Sequence, residues 1–169
     1  MKDDYILIVD DETDIQKTFQ AILKADYAVK TAGSGKEALA QLQKDRYEVI
    51  LLDIRMPCMD GIETLREIKK LDPDQAVIMV SASKDLKSAI EAMKLGAYDY
   101  VPKPFEVDDL LATIEKTIEK RRLVKENQFL RQEVEALTYE EFIGRSPAMQ
   151  KVINFIKKLP RGSVLGLEL

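Results

Sequence analysis

Three carboxylates in a row, Asp10-Asp11-Glu12, close the apolar run Tyr5–Val9. Adjacent like charges repel, and burying even one is costly unless a cation neutralises it. A second apolar run, Glu48–Leu52, ends in Asp53. A third, Ala76–Val80, ends in Ser81, and a fourth, Tyr98–Val101, leads into Lys103 between Pro102 and Pro104. Asp10, Asp11 and Asp53 offer only oxygen ligands, the donor set for a hard divalent cation, Mg2+ above all. A cation held there can neutralise an incoming phosphoryl group and set it in line with a carboxylate oxygen. Lys103 supplies a compact positive charge for a carboxylate or phosphoryl oxygen, and Ser81 supplies a hydroxyl donor. The chemistry these groups would share is phosphoryl transfer onto aspartate, giving an acyl phosphate. Singly, none of them is specific. An aspartate at a strand end is common, a lone serine there is more often a helix N-cap, and a lone lysine is more often solvated. The specificity lies in their order and placement.

Those groups need elements that deliver them to one place. The apolar runs are Tyr5–Val9, Tyr27–Thr31, Glu48–Leu52, Ala76–Val80 and Tyr98–Val101. Three are nearly unbroken Ile, Leu, Val and Met, as befits strands covered on both faces. Between them lie helical stripes: Ile15, Phe19, Ile22 and Leu23; Ala38, Leu39 and Leu42; Ile62, Leu65 and Ile68; Leu86, Ile90 and Met93. A β-α unit repeated five times predicts a parallel sheet with helices on both sides. In such a sheet ligands bind outside the carboxyl ends of the strands, where Asp10, Asp11, Asp53, Ser81 and Lys103 all fall.

The stretches ILIVDDE, VILLDIRMPCMDGIE, IMVSAS and GAYDYVPKPF resemble, in order and spacing, the receiver domain of bacterial two-component response regulators, from about Tyr5 to Ile118. The resemblance implies a flavodoxin-like, doubly wound, five-stranded parallel sheet of order 2-1-3-4-5. It implies Asp53 as phospho-acceptor, Asp10 and Asp11 as the acidic metal pocket, and the backbone carbonyl of Arg55 as a further Mg2+ ligand. It also implies a cis peptide before Pro104, and Ser81 and Tyr100 as a switch pair, with Tyr100 swinging inward when Ser81 moves to the phosphoryl oxygens. The implied phosphodonor is a phosphohistidine on a sensor histidine kinase, which fits a chain that has no histidine.

After Val101 the texture changes, with no Gly or Pro from Glu106 to Leu137. Leu110, Leu111, Ile114 and Ile118 can still pack on the sheet. Leu123, Asn127, Leu130, Val134 and Leu137 then step by four and three, a coiled-coil seam with one asparagine, surrounded by charges that include Arg121 and Arg122. The seam predicts a homodimer through a C-terminal linker helix. The stretch EFIGRSPAMQKVINFIKKL, with Ser146-Pro147 as a helix start, resembles the beginning of the AAA+ domain of NtrC-type activators, which act on sigma-54 RNA polymerase. The expected organisation is a receiver over 1–119, a linker over 120–137 and the start of a AAA+ domain over 138–169. GSGK at Gly33–Lys36 fails as a phosphate-binding loop, because Lys30 and Glu37 stand where Gly and Ser/Thr are needed. No ATPase activity is expected of this segment.

The bulk numbers narrow the field. A net charge of −4 with well-mixed signs gives no support for a nucleic-acid-binding surface. One cysteine, Cys58, excludes an internal disulfide and fits a reducing compartment. No apolar stretch approaches the ~20 residues of a membrane span, so a cytoplasmic protein without membrane contact is expected. Two other readings stay open: a stand-alone phospho-switch acting by protein contact, and an aspartyl-phosphate phosphatase or phosphotransferase. The latter wants a second acid two residues after the nucleophile, where Arg55 stands.

Overall fold

The structure is a computed structural model that describes residues 5–82 and 86–145. Among the described residues ten elements alternate: β1 (Tyr5–Val9), α1 (Thr13–Leu23), β2 (Ala28–Ala32), α2 (Gly35–Leu42), β3 (Val49–Asp53), α3 (Gly61–Leu71), β4 (Ala76–Ala82), α4 (Leu86–Lys94), β5 (Asp99–Lys103) and α5 (Val107–Arg145). All strand pairs are parallel, and the sheet order is β2-β1-β3-β4-β5. The flavodoxin-like order expected from the sequence is the order found.

Alternation along the strands splits the core in two. Leu7, Val9, Ile50, Leu52, Val77 and Met79 join Ala38, Ile62, Leu65, Ile68 and Ala92, so α2, α3 and α4 cover one face. Ile6, Ile8, Val49, Leu51, Ile78 and Val80 join Phe19, Leu23, Leu110 and Ile114, so α1 and α5 cover the other. Both faces are dry, which is why β1 and β3 read as unbroken apolar runs rather than as alternation. Each fully buried aliphatic side chain contributes about 1.5–3 kcal/mol relative to exposure, and this double layer is the rigid base for the strand ends.

Two caps fix helix starts. Ser34 Oγ accepts from Glu37 N at 3.3 Å, and Asp60 Oδ1 accepts from Glu63 N at 2.8 Å. The Glu37 carboxylate reaches back to Gly33 N at 2.8 Å, so GSGKE closes on itself as a helix start.

Three observations depart from the sequence reading. The fifth strand does not stop before Pro102 but runs to Lys103. It lies at the sheet edge and pairs with β4 alone, so a residue without an N–H is tolerated there. The helix after Glu106 continues as one element to Arg145, past the Leu137 limit set for the linker. Arg121, read as one of the charges around the seam, is buried at 7% exposure. Its Nη1 donates to the carbonyls of Tyr47 (2.6 Å) and Glu48 (2.5 Å), just ahead of β3, and its guanidinium lies 3.5 Å from the Glu48 carboxylate and 3.9 Å from that of Asp72. The chain divides into two units, Met1–Arg122 and Leu123–Leu169. Within the second, Leu123 and Leu130 are 56% and 51% exposed, and Asn127 is exposed. The side chains of Val134 and Leu137, and residues 146–169 with the expected Ser146-Pro147 helix start, lie outside the described residues.

Candidate functional site

The carboxyl ends of β1, β3, β4 and β5 bring Asp10, Asp53, Ser81 and Lys103 to one edge. Lys103 is the hinge of the arrangement. Its Nζ donates to Asp53 Oδ1 at 2.7 Å and to Asp10 Oδ2 at 2.9 Å. The remaining oxygens are held by the backbone: Arg55 N donates to Asp53 Oδ2 at 2.7 Å, and Glu12 N to Asp10 Oδ1 at 2.9 Å. Both carboxylates are buried. Register fixes this convergence, since Asp53 pairs with Val80 on β4, Ser81 with Pro102, and Ala82 with Lys103. The peptide between Lys103 and Pro104 is cis.

One ammonium serves two carboxylates, so the trio carries one uncompensated negative charge. Burial pushes the Asp53 carboxyl above its ordinary value; Lys103 pulls it down by hydrogen bond and charge, and the Asp10 charge pushes it up again. Burial pulls Lys103 down, but its bonds to Asp53 and Asp10 and their charges outweigh that and hold it above its ordinary value. Lys103 is committed to both carboxylates, and burial still leaves the Asp53 carboxyl above its ordinary value despite that contact.

Ser81 is 1% exposed, and its Oγ has no hydrogen-bond partner among the described residues. A buried hydroxyl left without an acceptor costs free energy, and this one lies on the strand between those that carry Asp53 and Lys103. Tyr100 is half-buried against the core and lines an apolar cavity of about 630 Å³ with Ala89, Ile90 and Met93. Asp11 is exposed at the rim. Among the described residues no group of three or more Asp, Glu, Cys or His side chains is gathered closely enough to hold a metal ion. Lys103 lies between Asp10 and Asp53 where the sequence reading had three carboxylates side by side. The donor chemistry still suits a hard cation: the side chains offered are carboxylates, and the net charge of Asp10, Asp53 and Lys103 favours added positive charge.

Gly61 was not singled out from sequence, yet the site depends on it. A Cβ there would lie 2.1 Å from the Asp53 carbonyl oxygen. Only glycine lets the start of α3 approach the end of β3 this closely, with Gly61 N donating to Ile54 O at 2.8 Å. Cys58, in the loop between, has a positive φ of 69° and is exposed.

The family model described as "Response regulator receiver domain" matches residues 6–115. The C4-dicarboxylate transport transcriptional regulatory protein DctD of Rhizobium meliloti is 38% identical over 156 residues, which is 91% of this chain and 34% of that protein. The DNA-binding transcriptional regulator NtrC of Salmonella typhimurium is 38% identical over 160 residues, 94% of this chain and 34% of that protein. Among solved structures, NtrX from Brucella abortus in complex with ADP is similar with a TM-score of 0.73 and 32% identity, covering 94% of this chain and 34% of that one. A receiver domain protein from Clostridium thermocellum is similar with a TM-score of 0.69 and 37% identity over 72% of this chain and 98% of that one. The chain spans about a third of the length of the curated relatives it matches.

Proposed function

The chain belongs to the response regulator receiver domain family, and from that premise we propose that it accepts a phosphoryl group from a sensor histidine kinase onto Asp53. The observation that carries this reading is the Asp10–Lys103–Asp53 trio beside a buried, unpartnered Ser81 Oγ. A carboxylate oxygen of Asp53 attacks phosphorus while the bond from phosphorus to the imidazole nitrogen of the donor breaks. The nitrogen leaves with the electron pair, and Asp53 becomes an acyl phosphate. Arg55 N holds the second carboxylate oxygen and so limits rotation of Asp53. Lys103 already contacts Asp53 and can transfer its ammonium contact to a phosphoryl oxygen. Ser81 Oγ gains the acceptor it lacks by donating to another. Mg2+, when bound at Asp10, Asp11, Asp53 and the Arg55 carbonyl, supplies charge neutralisation for the phosphoryl oxygens.

Downstream, the modification replaces the single charge of Asp53 with a phosphoryl group that carries about −1.5 to −2 at the ends of β3 and β4. Ser81 and Tyr100 carry the change to the face of α4 and β5. The exposed Leu123, Asn127 and Leu130, with Val134 and Leu137, form the seam of a parallel homodimer. The likeness to full-length activators supports a cytoplasmic protein whose further domains act on sigma-54 RNA polymerase through a AAA+ ATPase. No helix of the described residues is long and apolar enough to cross a membrane. Incubation with a small phosphodonor and Mg2+ tests the central step. Wild type is expected to gain one acid-stable, base-labile phosphoryl group, Asp11→Ala to gain it slowly, and Asp53→Asn not at all. Undiminished labelling of Asp53→Asn sinks the assignment.

A further inference from the structure

Gln16 lies on α1, half-buried, and its side chain leaves the helix to reach the ends of two strands. Its Nε2 donates to the Asp10 carbonyl at 2.6 Å and to the Ala32 carbonyl at 3.3 Å. These carbonyls belong to the place where the β1–β2 ladder stops. The last rung, from Asp10 N to Ala32 O at 3.2 Å, uses the same Ala32 oxygen. The Asp10 carbonyl is part of the rigid peptide plane that joins Asp10 to Asp11. A donor fixed on that oxygen therefore fixes where the Asp11 Cα begins. Among the described residues the other bonds at this turn go elsewhere. Glu12 N and Lys103 Nζ hold only the Asp10 carboxylate, and Glu12, at the N-cap of α1, makes no side-chain capping bond. Gln16 N in turn donates to Glu12 O at 3.1 Å, so one residue ties the helix start to both sides of the acidic turn.

We propose that Gln16 is a positioning residue for divalent-cation binding: its amide orients the Asp10–Asp11 peptide so that the buried Asp10 and the exposed Asp11 present oxygens to a common ion. The inference rests on the reading of this site as a Mg2+-dependent phospho-acceptor. Its ligand is the aquated divalent cation itself. Residues that orient ligands from behind are typically worth about 10–100-fold in metal affinity.

The competing account is that Gln16 merely satisfies two open strand-end carbonyls and so only stabilises the fold. Mg2+ titration by calorimetry on the full chain separates the two. Gln16→Leu keeps the bulk and loses both donors, and is expected to bind Mg2+ about tenfold more weakly. Thr18→Gly, at an exposed position of the same helix, lowers thermal stability without touching Asp10 and is expected to bind as wild type does. At saturating Mg2+ the phosphorylation rate of Gln16→Leu should match wild type, with only the half-saturating Mg2+ concentration raised. Should Gln16→Leu not fold, Gln16→Asn, one methylene too short to span both carbonyls, is read for the same loss. Wild-type affinity in the Gln16 variant, or equal loss in Thr18→Gly, overturns the positioning role and leaves the phospho-acceptor reading intact. Wild type that binds no Mg2+ and takes no phosphoryl group overturns both.

Discussion

Replacing Arg121 by methionine tests how the receiver holds its output helix. The substitution keeps an unbranched apolar stem and removes the guanidinium. Two hydrogen bonds from a charged donor to the Tyr47 and Glu48 carbonyls are lost, each worth about 1.5–3 kcal/mol when buried. Three effects reduce the sum. Gln75 Nε2 still donates to Tyr47 O at 3.1 Å. Arg121 Nε has no partner among the described residues, so its desolvation cost is recovered. The contacts to Glu48 and Asp72 at 3.5 and 3.9 Å reach partly exposed carboxylates, and such pairs are worth about 0–1 kcal/mol. The net expected loss is about 2–4 kcal/mol. For a unit of this size each kcal/mol lowers Tm by about 3–5 °C, so urea and thermal melts followed by circular dichroism resolve it easily. Arg121→Lys, which keeps charge but loses the planar fork, should fall between. The carbonyls lie ahead of β3 and Asp53 ends it, one strand length of about 17 Å away, so phosphorylation by a small donor should be unchanged. A loss below about 0.5 kcal/mol in Arg121→Met would refute the claim that these bonds anchor α5.

Asp53→Asn is expected to raise thermal stability near neutral pH, because it removes a negative charge that burial, and then the neighbouring Asp10 charge, disfavour. The sign follows from the acidity: the folded-state value of Asp53 is raised, so its ionisation disfavours the fold as pH rises from the ordinary aspartate value through the folded one. The advantage of the Asn variant should shrink as pH is lowered through that window; an advantage that grows instead contradicts the charge balance. Gly61→Ala must push α3 away from the Asp53 carbonyl, at a cost of about 1–3 kcal/mol and with slower phosphorylation; unchanged melts and rates would remove Gly61 from the site. Sedimentation tests the proposed seam: Leu130→Asp should give monomers and Asn127→Ile tighter or higher-order association, whereas a wild type that stays monomeric with and without beryllium fluoride refutes it.

The chemistry was legible where side-chain type and strand end coincide. Asp10, Asp53, Ser81 and Lys103 each terminate an apolar run, and a parallel sheet has only one edge on which such termini can meet. What stayed hidden is bonding in which one partner is backbone, or in which the residue type misleads. Arg121 stands among the charges around the seam, and a charged residue beside other charges is usually solvated. Nothing in its neighbours announces two carbonyls ahead of β3, some seventy residues earlier. Asp11, read as an equal member of an acidic nest, is the exposed one; β1 ends at Val9, and the chain turns outward after the buried Asp10. Gly61 gave no signal because its importance lies in the absent Cβ, and an absence has no period to detect. Gln16 has no charge, falls outside the apolar stripe of α1, and acts on a carbonyl that every residue possesses. The pattern is physical. Periodicity and charge report what side chains do to solvent and to each other, whereas support of a functional backbone becomes visible only when the fold has brought donor and carbonyl together.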